Sequence, residues 1–182
     1  PIGGIGRRAR FKIAFLREYL FDSDMGHQDQ IFINPKHIFI IATMESSKIL
    51  NLSKRVVVKV GSSLLTNFNG GIRRSVLDNI VRDISWLTKK KKEIIIVSSG
   101  AIAIGRGKLS LERELSLNES QAVAARGQID LMNAWQKSFK KLNIQVAQIL
   151  LSPEDTLNKK PSDNAKSTIN TLWSLDLSLI HI

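Results

Sequence analysis

The chain has 182 residues, 43% hydrophobic and 24% charged, enough for one domain with a sizeable core. It has no cysteine, which excludes a disulfide framework and a thiolate zinc site, and no apolar run approaches the ~20 residues of a membrane span. The formal charge of +11 at pH 7 raises nucleic-acid binding, but the positive residues are scattered along helical faces and do not interleave with aromatic residues as a stacking platform would.

Residues 1–43 show no clear period and precede a natural start at Met44-Glu45-Ser46. They are read as a leading segment outside the native domain, which then covers 44–182. The apolar stretch 31–42 is interrupted by Asn34, Pro35, Lys36 and His37, and no secretory signal is recognisable. Gly4-Ile5-Gly6-Arg7-Arg8-Ala9 imitates a dinucleotide fingerprint, but no strand precedes it.

From Ser53 the pattern alternates strand and helix. A β-branched run predicts a strand over 56–60, and Val76, Ile80, Ile84 and Leu87 predict a helix over 73–87. Lys89 to Lys92 follow as a solvated run that caps the helix end. A second strand is expected over 94–97, then a helix from about Gly100 to Lys108 and a loop over the site at 109–118. The next helix, 119–140, is assigned one stripe of Ala125, Ile129, Met132, Gln136 and Phe139, with Trp135 beside it. A strand at 144–151, a helix at 162–173 and a strand at 177–182, taken as an exposed sheet edge, complete the map. Strands alternating with helices predict an α/β fold: a three-layer α/β/α sandwich around a mainly parallel sheet.

Two strand ends carry the chemistry. Lys59 lies inside an apolar strand, where a lysine needs an anion to neutralise it, and Gly61-Ser62-Ser63 follows with backbone N–H groups and hydroxyls suited to phosphate oxygens. The second run ends in Ser98-Ser99-Gly100 and enters a helix at Ala101, whose N-terminus concentrates further N–H donors. In a parallel sheet both turns face one edge, so Lys59 and the amides of Gly61 and Ser99 are expected in one cleft. Gly105-Arg106-Gly107-Lys108 lacks the spacing of a Walker A loop, and His27, His37 and His181 are isolated, so no protein-held metal is expected.

These wordings resemble the glutamate 5-kinase family of the amino acid kinase superfamily. Lys59 to Thr66 and Val97 to Gly105 match in order, followed by Gln121 to Gln128, Gln145 to Leu151 and Asn164 to Ile169. Sister kinases share a lysine-glycine strand end but usually differ in the Ser-Ser-Leu-Leu-Thr and Ser-Ser-Gly-Ala-Ile-Ala wording. The resemblance runs from about Ser53 to Ile182 and implies the first part of a truncated catalytic domain. The family's amino-acid-binding Asn-Glu-Asn-Asp-like segment and its nucleotide lobe would lie beyond. His181 stands where a proline is expected, and Trp173-Ser174-Leu175-Asp176 departs from the usual helix end.

The resemblance implies an ATP-dependent transferase that phosphorylates the side-chain carboxylate of L-glutamate at the start of proline biosynthesis. Lys59 would serve as catalytic and phosphate-binding residue, Gly61 and Ser62 would bind ATP phosphate, and Ser99, Gly100 and Ala101 would bind glutamate. Gly127 and Gln128 are assigned to helix packing or the pocket wall. Magnesium would come with ATP and be held mainly by the nucleotide. The whole enzyme would be cytoplasmic and homo-oligomeric, with no nucleic-acid or membrane partner, and the chain alone would be inactive. A non-catalytic basic α/β module that binds nucleic acid or a protein partner is the alternative.

Overall fold

The computed structural model describes residues 31–32, 52–152 and 154–181. The remainder of the leading segment and Ile182 lie outside the described residues. Five strands form one sheet: β1 (Ile31–Phe32), β2 (Arg55–Val60), β3 (Glu93–Ser98), β4 (Val146–Ile149) and β5 (Ser178–His181). Their spatial order is β1-β2-β3-β5-β4, and every neighbouring pair is parallel. Within the leading segment, Ile31 and Phe32 pair beside Val58 and Lys59.

Helices cover both faces. They are α1 (Ser62–Leu65), α2 (Arg74–Lys89), α3 (Ala101–Lys108), α4 (Leu117–Lys140), α5 (Glu154–Leu157) and α6 (Lys159–Ser174). Strand parity sorts the two cores. Val56, Val58, Val60, Ile94, Ile96 and Ile180 join Leu77, Ile80, Ile84, Ile104, Leu131, Trp135 and Phe139 in the larger one. On the other face, Ile95, Val97 and Leu179 meet Ile169, with Ala165, Leu172 and Trp173 of α6 packed beside it. The result is the predicted α/β/α sandwich.

Three expectations are corrected. Strand β5 is not an edge: it lies between β3 and β4, because all four of its residues are buried, whereas β4 exposes Gln148. The α4 stripe is rotated. Ala125, Ile129 and Gln136 are exposed, and the buried residues are Val123, Gly127, Leu131, Ala134, Trp135, Ser138 and Phe139. Close approach of α3 selects this face, since a Cβ at Gly127 would overlap the Ala101 carbonyl oxygen and one at Gly105 the Val123 carbonyl oxygen. Helix α4 also starts earlier than expected. Ser116 and Glu119 form a reciprocal capping box that fixes the first turn at Leu117.

The loop between α3 and α4 is held by Arg106 of α3. Arg106 donates to the carbonyls of Leu111, Glu112 and Arg113 at 3.1, 3.0 and 2.7 Å, so the loop is tied to the last turn of α3, away from Gly100. The lysine run is engaged locally. Lys90 Nζ stands 3.8 Å from the Trp86 ring centroid, and Lys92 Nζ donates to the Ser53 carbonyl.

Candidate active site

Strand β2 ends at Val60 and β3 at Ser98, and these two residues are register partners. The turns that follow therefore leave the sheet side by side at its C-terminal edge, where open α/β sheets bind ligands. Gly61 caps α1 with φ −75° and ψ 154°. Helix α1 is a single turn: Leu64 N–H donates to Gly61 O at 3.2 Å, and Thr66 closes it through its amide and hydroxyl, both donating to Ser62 O at 2.9 and 3.0 Å. Among the described residues, the amides of Gly61, Ser62 and Ser63 reach no backbone acceptor. They are a row of donors at a helix start.

The second turn supplies another row. Gly100 holds φ +125°, a conformation that L side chains rarely adopt, and it caps α3 without a side-chain hydrogen bond. Ile104 N–H is the first to bond back, to Gly100 O at 3.0 Å, which leaves the amides of Ala101, Ile102 and Ala103 without a helical acceptor. The two rows are adjacent. A Cβ at Gly100 would lie 3.6 Å from Thr66 Cγ2 and 3.7 Å from Ser62 Cα. In front of Gly61 nothing comes within 4 Å of the equivalent position, so the edge is open to a ligand there.

Ser99 differs from its expected geometry. Its N–H donates to Val60 O at 3.0 Å and its hydroxyl to the same oxygen at 3.3 Å. It latches one turn to the other, and the ligand-facing donors on this side begin at Gly100. The latch arises because Ser99 directly follows Ser98, which is paired with Val60.

Lys59 lies one residue before Val60, so parity puts it on the α6 face, in the row of Val97 and His181. It is half-buried, and desolvation holds its ammonium below the ordinary lysine value. Among the described residues it has no carboxylate within ion-pair distance. A partly desolvated, uncompensated cation beside two rows of N–H donors is suited to an anion. Among the described residues, no group of three or more His, Asp or Glu is placed to hold a metal ion.

Two grooves lie elsewhere on the described residues. One of about 560 Å³, lined in part by Lys91, Glu93, Asn143, Trp173 and Asp176, is at the opposite sheet edge. Another of about 550 Å³ lies between β4 and α6. The donor rows occupy an open shelf rather than either groove.

The sequence model of the amino acid kinase family matches residues 54–180. The chain belongs to that family. It is 47% identical over 124 residues to the glutamate 5-kinase of Pelagibacter ubique (strain HTCC1062), covering 68% of this chain and 34% of that protein. The glutamate 5-kinase of Paramagnetospirillum magneticum (strain ATCC 700264 / AMB-1) is 46% identical over 127 residues, 69% of this chain and 34% of its own length. That of Nitrosomonas eutropha (strain DSM 101675 / C91 / Nm57) is 45% identical over 130 residues, 71% and 35%. The chain thus spans about a third of the length of the curated relatives it matches.

All six residues expected at the site lie on this one sheet edge: Lys59, Gly61 and Ser62 on the first turn, and Ser99, Gly100 and Ala101 on the second. Sequence reasoning missed the Thr66 closure of α1 and the bond made by Trp135, whose indole N–H donates to Ser98 Oγ at 3.1 Å. The wording Ser-Ser-Leu-Leu-Thr could have signalled the first, because a threonine four residues after Ser62 can bond back to its carbonyl. A lone tryptophan on a buried helix face gave no such signal.

Proposed function

We propose that this chain is part of a glutamate 5-kinase, which transfers the γ-phosphoryl group of ATP to the side-chain carboxylate of L-glutamate. The observation that carries the proposal is the convergence of two unbonded donor rows and Lys59 at one sheet edge. Identity of 45–47% to proteins named glutamate 5-kinase supports the choice of substrate. The product, γ-glutamyl phosphate, would feed proline biosynthesis. The proposal extends to a cytoplasmic, homo-oligomeric whole enzyme. Among the described residues, no helix is long and apolar enough to cross a membrane.

The chemistry asks little of general bases. Glutamate's side chain is already a carboxylate at pH 7, so one of its oxygens attacks the γ-phosphorus directly. The bond from that phosphorus to the β-phosphate bridging oxygen breaks, and ADP leaves with the electron pair. What the protein must supply is alignment and neutralisation of charge on the transferring group. The Gly61 and Ser62 amides hold phosphate oxygens, and Lys59 stabilises the charge that builds as the group moves. Gly100 and Ala101, at the start of α3, hold the glutamate carboxylate, with Ser99 fixing their position. Magnesium enters as part of the ATP complex. The described residues offer no cluster for a protein-held ion, and no step here depends on one.

Titrating the isotope-labelled chain with ATP, then with L-glutamate, tests the proposal. The amides of residues 61–63 and 100–103 should shift. Shifts confined to the Lys89–Lys92 surface would overturn it in favour of a basic binding module. The chain by itself is expected to give no glutamate-dependent ADP release, since its donor rows serve the phosphoryl and carboxylate ends of the reaction only.

A further inference from the structure

Trp135 is fully buried in the C-terminal part of α4, with its ring stacked on Phe139 at a centroid distance of 6.0 Å. Its indole N–H, a donor only, reaches across the core to Ser98 Oγ at 3.1 Å. Ser98 is itself buried and is the last residue of β3, so this bond is made at the point where the sheet gives way to the Ser99-Gly100 turn. One residue later, Ser99 latches to Val60, and the next residue caps α3. Eight positions earlier on α4, Gly127 lies directly under the Ala101 carbonyl. Helix α4 therefore grips the turn at two points, one on each side of Ser99 and Gly100.

We infer that Trp135 is a positioning residue for the carboxylate-binding turn, acting through Ser98 rather than by touching a ligand. The inference rests on the function proposed above. Packing alone does not require an indole at this place. A phenyl ring would also fill an apolar interior, but it has no donor for a buried hydroxyl at the strand end, and a buried polar group deprived of its partner shifts or finds another. Any such shift at Ser98 is passed to Ser99 N–H and to the Gly100 cap, because only covalent neighbours lie between them. The coupling is local and needs no long-range pathway.

The test uses the whole 182-residue chain in four forms: unaltered, Trp135→Phe, Ser98→Ala and the double variant. In the ligand-free chain, each single variant should move the Ser99 and Gly100 amide resonances and lower exchange protection of the Ser99 N–H about tenfold, the scale of one buried hydrogen bond. The double variant should match either single, because both remove the same bond. ATP affinity should be little changed, whereas L-glutamate affinity in the ATP-loaded chain should fall by a similar factor. Trp135→Phe that lowers the melting temperature but leaves Ser99 and Gly100 unmoved would overturn the inference and reduce Trp135 to packing. Additive effects of the two single variants would also overturn it. If Trp135→Phe does not fold, Ser98→Ala removes the same bond at little cost in volume and decides the question. If ATP and glutamate shift nothing in the unaltered chain, the proposed function fails, while the exchange measurement still decides the role of Trp135.

Discussion

Substituting Gly127 by alanine tests whether backbone contact between α3 and α4 sets the site. The new Cβ would overlap Ala101 O and lie 2.6 Å from Gly105 N and 2.9 Å from Ala101 C, all of them backbone atoms with no rotamer to escape into. Ordinary contact begins at 3.4 Å, so the two helices must separate by on the order of 1 Å. Overpacking of this kind costs ~1–3 kcal/mol, while alanine in place of glycine inside a helix returns ~1 kcal/mol. The net destabilisation is then up to about 2 kcal/mol, and at ~2–4 °C per kcal/mol for a chain of this size the melting temperature falls by up to roughly 8 °C. The displaced atom belongs to Ala101, the first residue of α3, so the donor row moves with it. A 1 Å misplacement of positioning groups can cost ~10²-fold in rate, and glutamate affinity should fall with it. Thermal unfolding followed by circular dichroism gives the first number, and ligand titration of the labelled chain the second. Gln128→Ala, one residue on and only half-buried, serves as the control and should stay within ~0.5 kcal/mol. An unchanged or higher melting temperature for Gly127→Ala, with normal shifts at residues 100–103, would refute the reasoning.

Gly61→Ala should behave in the opposite way: its φ of −75° suits alanine and nothing obstructs the new methyl, so stability should rise by ~0.4–1 kcal/mol while ATP binding weakens, because that methyl occupies the approach to the donors. Lys59→Met in a complete enzyme should lower kcat by ~10²–10³-fold with little change in glutamate KM, and near-normal kcat would make Lys59 a mere strand-end residue. In the isolated chain, desolvation lowers the folded-state pKa of Lys59, so at alkaline pH the unfolded chain binds the extra proton and stability should rise with pH as the ordinary lysine value is approached. Lys59→Met should lose that rise; a melting curve whose pH dependence is the same in both proteins would count against it. Glu119 is held at about 2 by the Arg113 hydrogen bond and by the Ser116 amide and hydroxyl, so its contribution is present above the ordinary glutamate range and lost as pH falls through that value. Glu119→Gln should melt lower than the unaltered chain at pH 6, with the gap closing by pH 2; a gap that persists in acid would contradict the capping role.

The sequence displayed its alternation of strand and helix because β2 and β3 are runs of β-branched residues and α2 has clean helical spacing at Ile80, Ile84 and Leu87. It pointed to the candidate site because glycine and serine at two strand ends have few other reasons to recur. The rotation of α4 was hidden for a definite reason. Its surface carries Ala125 and Ile129, as apolar as the buried Ala134 and Leu131, so hydrophobicity alone gives two competing stripes. Gly127 breaks the tie, because close backbone approach demands the residue that a hydrophobic scale ranks as neutral. The position of β5 was likewise legible only in its composition: Ser178, Leu179, Ile180 and His181 are buried on both faces, and an edge strand would leave one row of backbone groups unpaired. The capping box at Ser116 and Glu119 was visible in the sequence and was masked by a polar, leucine-dotted stretch that reads as loop throughout.

The side on which Lys59 emerges follows from a parity of one residue. Val56, Val58 and Val60 point into the larger core, closed by α2, α3 and α4, where an ammonium would be stripped of water on every side. Shifting the lysine to position 58 or 60 would bury an unpaired charge, at a cost of several kcal/mol even after relaxation. At 59 it lies on the face against which α6 packs, half-buried, which is enough to weaken its hold on the proton without expelling the charge. A lysine in that state gains more from an incoming phosphate than a fully hydrated one, since part of its desolvation has already been met by folding. The same parity brings Lys59 out on the opposite sheet face from the core against which α1 and α3 pack, so it and the amides approach a ligand from different directions. Two rows of dipoles along the edge and one charge from the side form a cradle with no protein carboxylate among its described members, and that asymmetry favours an anion whose charge grows during reaction over one whose charge is fixed.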